Sequence, residues 1–440
     1  MEFLSSELQS GLILFGVFGI LVTLGVPISF AIGLAATATI TFLISFDQAL
    51  FVVSQKMASG LDSFTLLAIP FFILAGNIMN SGGIARRLIE LAKIVGGRLP
   101  GALAHVNVLA NMLFGSISGS AVASAAAIGG IMSPLQRKEG YDPAFSAAVN
   151  AASCPTGMLI PPSSTLIVYS LISGGTSVAT LFVAGYLPGI LMGLGVMVVA
   201  GIVATKRGYP LIPLPSFKEI IFKIADAFLP LLLIFIIMGG IIGGVFTATE
   251  ASAVAVVYTL LLAVGIYREV KITDLPTIIL ESAITSSIVL LLIGCSIGMS
   301  WAMTFSDIPY AIGEALANVS ENPFIIMLVI NICLLVIGTF MDMTPALLIF
   351  TPIFLPVATE LGMDPVHFGI MMTYNLCIGI ITPPVGSALF ISCSVGKVAI
   401  QDLIKPMLPF YAAVISILML VTFIPEISLF LPRVILGYGG

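Results

Sequence analysis

Long stretches without a charged residue dominate the hydrophobic pattern of this chain. They lie at 8–46, 63–85, 99–136, 143–205, 227–249, 282–306, 322–341, 365–396 and 406–425. A helix needs about 20 apolar residues to cross a bilayer, and each stretch is long enough. A transmembrane β-barrel would instead show alternating segments of about 10 residues. The pattern therefore predicts an all-α polytopic membrane protein.

The hydrophobic pattern also repeats along the chain. When 131–174 is laid on 353–396 without a gap, ten residues coincide, and four of these pairs are prolines. Proline is costly inside helices, so such a coincidence indicates a common fold. We predict a first repeat at 1–205 and a second at 226–440, joined by a cytoplasmic linker at 206–225.

Each predicted repeat contains a pair of apolar helical segments separated by a break. A membrane span that is interrupted at a Pro-Pro step follows this pair. The pair at 100–134 breaks around Gly115–Ser120, and the pair at 323–358 breaks around Gly338–Pro345. Irregular backbone at membrane depth requires burial in protein or a wet cavity, so each pair is predicted to be a re-entrant hairpin. Five crossings then remain in each repeat, and an odd number places the second repeat upside down.

Charge supports the inversion. The segment 84–98 is basic apart from Glu90, whereas the corresponding segment 307–322 contains Asp307, Glu314 and Glu321 and no basic residue. Because cytoplasmic loops are enriched in Lys and Arg, the first of these segments is predicted to lie on the cytoplasmic side and the second outside. The segment 84–98 is expected to lie flat at the interface, with Arg86, Arg87, Glu90 and Lys93 toward water or headgroups.

Composition narrows the class further. Charged residues make up 8% of the chain, against about 25% in soluble domains. The net charge of −5 is spread over loops, and the absence of a basic tail predicts lipid rather than nucleic acid as a partner. The five cysteines lie in apolar stretches without a Cys-x-x-Cys pair, so they are predicted to be small buried residues.

Inverted repeats with facing broken helices place a binding site near the membrane midplane. Helix C-termini expose carbonyls, which suit a cation, and N-termini expose N–H groups, which suit an anion. We expect two cages for a hard monovalent cation. The candidate ligands are Ser116, Ser118, Gly119, Ser120 and Gly157 in the first cage, and Gly338, Thr339, Met341, Asp342, Gly379 and Thr382 in the second. Candidate substrate contacts are Asn150, Ser153, Thr156, Pro161, Thr344, Asn375 and Pro383.

Structural alternatives exist for several of these residues. Small residues also pack transmembrane helices closely without binding anything. Asp342 is an acid within the membrane region, which marks a functional candidate, but it could equally cap the helix that starts there. Glu250 follows Thr247 with the spacing of a capping box, which predicts a structural role.

The sequence contains little that indicates catalysis. His105 and His367 form no constellation and are predicted to be packing residues. The sequence contains neither His-Glu-x-x-His nor Gly-x-Ser-x-Gly. An intramembrane enzyme would have only Ser118 with His105 as a loose nucleophile–base pair, so we predict that the chain is not an enzyme.

Taken together, several motifs resemble a known family. The segments Gly115–Ala123, Ile160–Ser163, Phe246–Ala251, Gly338–Asp342, Gly362–Gly369 and Thr382–Gly386 are similar to the large membrane subunit of tripartite ATP-independent periplasmic (TRAP) transporters. The resemblance covers nearly the whole chain.

The resemblance implies a sodium-driven importer of the bacterial inner membrane, with two or more Na⁺ sites. It implies an elevator mechanism, in which a transport domain with both hairpins slides against a scaffold. It also implies a small four-helix membrane subunit, a periplasmic substrate-binding protein and a small carboxylate substrate, such as a sialic acid or a dicarboxylate. A stand-alone divalent-anion symporter of related architecture remains the alternative.

Overall fold

The computed structural model describes residues 6–211, 216–320 and 322–439, which form helices joined by short connections and contain no strand. Part of the predicted linker 206–225 lies outside the described residues, as does Glu321 of the predicted acidic segment. Eight of the described helices or helical runs are long and apolar enough to cross a membrane. The predicted all-α polytopic membrane fold is confirmed.

The first repeat runs from α1 to α11. Its helices are α1 (Ser6–Thr23), α2 (Ile28–Leu43), α3 (Phe46–Leu61), α4 (Ala68–Ser81), α5 (Ile84–Gly96), α6 (Ala102–Ser118), α7 (Ala121–Lys138), α8 (Pro143–Ser153), α9 (Thr156–Leu159), α10 (Ser164–Ile172) and α11 (Val178–Arg207).

The second repeat runs from α12 to α21. Its helices are α12 (Phe217–Ile242), α13 (Ala248–Leu260), α14 (Leu275–Phe305), α15 (Ile308–Val319), α16 (Pro323–Phe340), α17 (Met343–Glu360), α18 (Pro365–Gly379), α19 (Ser387–Gly396), α20 (Ile400–Phe423) and α21 (Glu426–Leu436). Hairpin 1 is α6 with α7, and hairpin 2 is α16 with α17.

Some boundaries differ from the predicted ones. The helix α3 was not predicted, because residues 46–61 carry charged and polar side chains and form no uncharged stretch. The helix α12 begins inside the predicted linker, with a capping box between Ser216 and Glu219. The last predicted span is two helices, α20 and α21. The breaks in the hairpins are also narrower than predicted: Gly119-Ser120 in hairpin 1 and Met341-Asp342 in hairpin 2.

The two repeats exchange their contacts reciprocally. The helix α4 packs on α13, and the corresponding pair α14 and α2 pack together. In the same way α5 packs on α12, and the corresponding helices α15 and α1 pack together. The helix α7 packs on α19, and the corresponding helices α17 and α10 pack together. Such self-complementary pairing is the property of a two-fold relation. The repeats are therefore interlocked, rather than two separately packed domains.

A tyrosine holds the start of each broken helix. Asp142 and Asp364 cap α8 and α18 by accepting hydrogen bonds from backbone N–H groups of the first turn. The Tyr209 hydroxyl accepts from the Asp142 N–H at 3.1 Å, and the Tyr438 hydroxyl lies 3.0 Å from Asp364 Oδ2. Each tyrosine follows the last helix of its repeat, so the end of the repeat fixes the entry to its broken helix.

The helix α5 is an amphipathic arm, but one of its basic side chains does not face water. Arg87 stacks on the Tyr267 ring at 3.6 Å, and its Nε donates to Asp226 Oδ1 at 3.2 Å. Its Nη2 also lies 3.6 Å from Glu269 Oε1. The expectation that Arg87 points to water or headgroups is therefore wrong, because the second repeat supplies two carboxylates and a ring for it.

A second ion cluster joins the same two helices. Glu90 lies 2.6 Å from Lys93 Nζ and 2.8 Å from Lys223 Nζ of α12. Burial raises the pKa of Glu90, but the hydrogen bonds from Lys223 and Lys93 outweigh that effect and hold the pKa below its usual value. This pairing and the Arg87 contacts together anchor α5 to the second repeat.

We expect Arg87→Ala to destabilise the protein by about 1–3 kcal/mol, because the change removes a stacked cation and its hydrogen bonds. This figure allows for the partial exposure of Asp226 and Glu269, which weakens their ion pairs. Arg87→Lys should rescue little, since a lysine cannot stack and donate in the same plane. Thermal midpoints of the purified protein measure the effect. Arg86→Ala is the control, because Arg86 is exposed on the same helix turn. Equal midpoints for the two alanine variants would contradict the anchoring role.

Candidate functional site

The tip of hairpin 1 lies against the break in the first broken helix. Gly119, at φ +62°, ends α6 and donates its N–H to Gly115 O at 2.8 Å. A Cβ placed on Gly157 would lie only 2.2 Å from Gly115 Cα, so the two backbones touch. The predicted pairing of this tip with the break around Gly157 is thus present in the structure.

The tip of hairpin 2 lies against the second break in the same way. A Cβ placed on Gly379 would lie 2.6 Å from Gly338 Cα. The Val385 N–H, beyond the Pro383-Pro384 step, donates to Thr339 O at 3.2 Å. The structure therefore contains two repeat-related sites: site 1, formed by hairpin 1 and the first break, and site 2, formed by hairpin 2 and the second break.

Helix C-termini reach both sites. The helix α6 ends against α9 at site 1, and α16 and α18 end at site 2. The last carbonyls of a helix lack partners within that helix and carry partial negative charge. Such ends attract a cation, and oxygen atoms are the ligands that hard cations prefer.

The predicted hydroxyl ligands donate their protons to backbone carbonyls of their own helices. The Ser116 hydroxyl donates to Leu113 O at 2.9 Å, that of Thr339 to Val336 O at 2.7 Å, and that of Thr382 to Ile378 O at 2.7 Å. A hydroxyl that donates its proton keeps its lone pairs as acceptors. These bonds therefore leave the oxygens able to face a cation.

The remaining cage candidates differ in their surroundings. The Ser120 hydroxyl caps α7 by accepting from the Ala123 N–H at 3.2 Å. The Ser118 hydroxyl lies 3.5 Å from Ser120 O, a weak contact. Met341 is half-buried at the tip of hairpin 2. Ser120 is therefore an N-cap residue in the structure. The other oxygen atoms near the tip that could face a cation are backbone carbonyls.

Asp342 is exposed at the N-terminus of α17, but its side chain makes no cap hydrogen bond there. Instead, its Oδ1 accepts from the Ser387 hydroxyl at 3.2 Å, across the site from the start of α19. The capping alternative is therefore not what the structure shows. Asp342 links hairpin 2 to the segment beyond the second break and carries the negative charge at site 2.

Helix N-termini complete both sites. At site 1, α10 follows Ser163, whose hydroxyl donates to Met158 O and does not cap the helix. At site 2, neither α17 nor α19 has a side-chain cap, although the Ala388 N–H in the first turn of α19 donates to Ile380 O at 3.1 Å. Uncapped N-termini present N–H groups and partial positive charge, which attract an anion. Each site thus combines ends that suit a cation with ends that suit an anion.

The predicted substrate contacts separate into two groups. Asn150, Ser153, Thr156, Pro161 and Asn375 are buried, whereas Thr344 and Pro383 are half-buried. The Thr156 hydroxyl donates to Ser153 O at 2.6 Å, and Asn375 Nδ2 donates to Asn331 O at 2.9 Å. In this conformation the hydroxyls and amides of the first group bond within the protein, except that Asn375 Oδ1 is buried without a partner among the described residues. Site 2 is the more accessible of the two.

A polar hub lies behind site 1. It contains the predicted Asn150 and Ser153 together with Asn111 and Ser124, which were not predicted from the sequence. Asn111 of α6 lies 3.1 Å from Asn150 Oδ1 and 2.8 Å from the Ser153 hydroxyl through its Nδ2. Its Oδ1 accepts from the Ser124 hydroxyl at 2.7 Å. Asn107 and Asn111 are one helical turn apart in an apolar stretch, and that spacing was the available signal. The hub joins α6, α7 and α8 immediately behind the hairpin tip.

The two broken helices meet between the sites. Cys377 Sγ lies 3.6 Å from Pro155 O, so α18 passes the first break.

Among the described residues the five cysteines are free, and no group of three His, Cys, Asp or Glu residues could hold a metal ion. His105 and His367 contact the carbonyls of Pro100 and Val421. The Thr247–Glu250 capping box is present as predicted, with Thr247 N–H to Glu250 Oε2 at 2.8 Å.

Comparison with known proteins gives a consistent picture. Residues 15–427 match the family model of the tripartite ATP-independent periplasmic transporter, DctM component. The uncharacterized protein YgiK of Salmonella typhimurium is 60% identical over 96% of this chain and 97% of its own length. The sialic acid TRAP transporter large permease protein SiaM of Vibrio cholerae is 38% identical over 97% and 99%.

Further similarity extends to another substrate class and to a solved structure. The C4-dicarboxylate TRAP transporter large permease protein DctM of Pseudomonas aeruginosa is 40% identical over 91% of this chain and 93% of its own length. The crystal structure of the YdaH transporter of Alcanivorax borkumensis superposes with a TM-score of 0.61 at 14% identity, covering 89% of each chain. At that identity the likeness concerns the fold alone.

Proposed function

This chain belongs to the DctM family of TRAP transporter large membrane subunits, and from that premise we propose that it is the permease of a sodium-coupled importer of a small carboxylate. The importer would work across the inner membrane of a bacterium. Relatives of this chain are transport permeases, which agrees with a role other than catalysis.

The pairing of opposite helix ends at sites 1 and 2 carries the proposal. Sodium would bind where C-termini and hydroxyls meet: at Ser116 and Gly157 in site 1, and at Thr339 and Gly379 in site 2. The substrate carboxylate would bind to the N–H groups at the starts of α10 and α19. Because each ion would neutralise carbonyl ends beside the anion, sodium and substrate would strengthen each other's binding.

The substrate would be recognised without an arginine. No basic residue occurs in 115–120, 154–163, 338–345 or 379–387, the segments that form the two sites. Helix N-termini and hydroxyls can hold a carboxylate, as they do in other transporters with broken helices. Relatives named for sialic acid and for C4-dicarboxylates both handle carboxylates. Asp342 would disfavour a second negative charge next to site 2, and for that reason we favour an acidic sugar over a dicarboxylate.

Movement would follow the elevator scheme. The transport domain would contain both hairpins, both broken helices and the polar hub, and it would slide against a scaffold that includes α2, α12, α13 and α14. The arm α5 contacts both α6 of hairpin 1 and α12. Since Arg87 and Glu90 fix α5 on the second repeat, α5 would be the stationary end of the linkage and the α5–α6 connection its hinge.

Two partners complete the proposed system. A small membrane subunit with four helices would pack on the lipid-facing surface, and a periplasmic binding protein would deliver the substrate. The alternative, a stand-alone divalent-anion symporter, would need neither.

Reconstitution tests the proposal. The permease and its small subunit are placed in proteoliposomes with an inward sodium gradient, and uptake of labelled sialic acid and succinate is measured with a panel of binding proteins. We expect uptake only with one matching binding protein. Uptake of the same rate without any binding protein would favour the stand-alone symporter. A binding protein loaded with substrate but no uptake under any gradient would contradict the transport proposal itself.

A further inference from the structure

A small polar cavity lies behind hairpin 1, where α6, α7, α8 and α19 meet. Its volume is about 10 Å³, and its lining includes Asn107, Gln136, Ser146, Asn150 and Ser392. Three atoms in this lining are buried and have no hydrogen-bond partner among the described residues: Asn107 Nδ2, Gln136 Oε1 and Ser146 Oγ. Buried polar atoms without partners are costly, so this cluster calls for an explanation.

The surrounding carbonyls fix the orientation of two amides. Gln136 Nε2 donates to Leu103 O at 3.2 Å, and a backbone carbonyl can only accept, so the unpartnered atom of Gln136 is the acceptor Oε1. Asn150 Nδ2 donates to Ala125 O at 3.0 Å for the same reason. Its Oδ1 therefore faces Asn111 Nδ2, which must be a donor.

The same constraint passes on to Asn107. Asn111 Nδ2 lies 2.8 Å from Asn107 Oδ1, which leaves Asn107 Nδ2 as a donor without a partner. The cavity therefore has one free donor, one free acceptor and one hydroxyl that can do either. A cation would face the N–H group of Asn107, and an anion would face Gln136 Oε1. Only a neutral ligand that both donates and accepts satisfies all three atoms.

We propose that this cavity is a built site for a single water molecule, which bridges Asn107, Gln136 and Ser146. The volume is that of about one water, and buried waters typically make about three hydrogen bonds to groups that otherwise lack partners. The water would join hairpin 1 to α8 and complete the network that leads through Asn111 to the tip at site 1.

The second repeat shows that the fold does not require a polar cavity here. At the corresponding positions Ile330 stands for Asn107, Ala358 for Gln136, Phe368 for Ser146 and Met372 for Asn150. All four are fully buried and apolar, so the three unpartnered polar atoms and Asn150 have no polar counterpart behind hairpin 2. The water site is therefore specific to hairpin 1 and not a consequence of the repeat.

An arginine of hairpin 1 bonds a residue of the cavity lining. Arg137 of α7 donates through Nη2 to Gly396 O at the end of α19, and Gly396 is part of the lining. The corresponding position in the second repeat is Thr359, whose hydroxyl bonds its own helix. Neither this arginine contact nor the three unpartnered polar atoms recur at the corresponding positions behind hairpin 2.

Ser146→Ala tests the site by the sign of a stability change. If water occupies the cavity, the change removes one of its partners, and the thermal midpoint of the permease–small-subunit complex should fall by a few degrees. If the cavity is dry, the change deletes a buried hydroxyl without a partner, and the midpoint should rise. The matched control is Ser428→Ala, because the Ser428 hydroxyl is buried without a partner among the described residues and does not line this cavity. The thermal midpoint of the Ser428→Ala variant is expected to stay unchanged or to rise.

A high-resolution structure of the complex, determined in sodium and in choline buffer, provides the second measurement. We expect one peak within about 2.7–3.2 Å of all three atoms in both buffers. An empty cavity would overturn the proposal. So would a peak that appears only with sodium, especially if the stabilisation of the complex by sodium is lost in Ser146→Ala, because the ligand would then be a cation.

Discussion

Gly157→Ala is expected to abolish transport and to destabilise the protein by about 1–3 kcal/mol, the usual cost of overpacking a closed contact. The added Cβ would lie 2.2 Å from Gly115 Cα and 2.3 Å from Gly115 C. Both are backbone atoms, so no side-chain rotation can relieve the clash. The tip of hairpin 1 would have to move away from the break, and the C-terminus of α6 would no longer lie against α9. Gly379→Ala should act in the same way at site 2.

The control for both variants is Gly130→Ala in α7. No atom lies within 4 Å of a Cβ at that position, and an alanine in a helix interior is favoured over glycine by about 0.5–1 kcal/mol. Initial uptake rates in proteoliposomes and thermal midpoints are compared for the three variants. If Gly157→Ala transported at the rate of Gly130→Ala, the close approach of tip and break would not be needed for function.

The coupling ion is the second prediction with a large effect. We expect uptake to persist under a sodium gradient when the proton gradient is collapsed, and to be lost when potassium replaces sodium. Proton coupling needs a titratable group in the pathway, and Asp342 is the only carboxylate among the predicted site residues. A sodium site needs only several oxygens at fixed distances, which converging helix ends supply. Potassium is larger and would not suit a compact cage.

Two hydroxyl variants connect this expectation to sites 1 and 2. Ser116→Ala and Thr339→Ala each remove one oxygen, and a lost ligand worth about 1 kcal/mol raises the half-activating sodium concentration roughly fivefold. Thermal midpoints without sodium should change little, since each hydroxyl bonds only its own helix. Thr359→Ala, which removes a hydroxyl of the same kind far from both tips, is the control.

Other results would point elsewhere. Unchanged sodium activation in both variants, at normal membrane levels, would remove these side chains from the cages. Uptake driven by a proton gradient in sodium-free buffer would contradict sodium coupling. Asp342→Asn would then be the decisive variant, because an amide cannot carry the proton.

The sequence predicted most of the architecture because membrane helices and their breaks have strong local signals. The repeated prolines located the broken helices, and the structure adds that Asp142 and Asp364 cap the start of these helices at matching positions. The width of the breaks was overestimated, because Gly115 and Gly338 continue their helices. These glycines permit close approach, not a change of direction, and that role depends on a partner that is distant in the sequence.

The contacts between repeats could not be predicted in the same way. Arg87 looked like one more basic residue on an amphipathic face, because nothing local shows that Asp226, Tyr267 and Glu269 come to meet it. The polar residues Asn107 and Gln136 lie far apart in the sequence, and their role depends on which neighbouring atoms lack hydrogen-bond partners. That the side chains at sites 1 and 2 bind ions stays a prediction.

The reciprocal packing of the repeats has a consequence for biosynthesis. A nascent chain that has emerged only as far as α11 has no α13 for α4, no α12 for α5 and no α19 for α7. The first half must therefore wait in the bilayer, with hairpin 1 and the Arg87 side chain uncovered, until the second half is inserted. We expect these faces to be buried late and cooperatively, since exposed surfaces of this kind are where unfinished multi-span chains misassemble. The surfaces of α4, α5 and α7 that the second half covers would then be the ones recognised by the cell's quality-control machinery during insertion, well before any solute is bound.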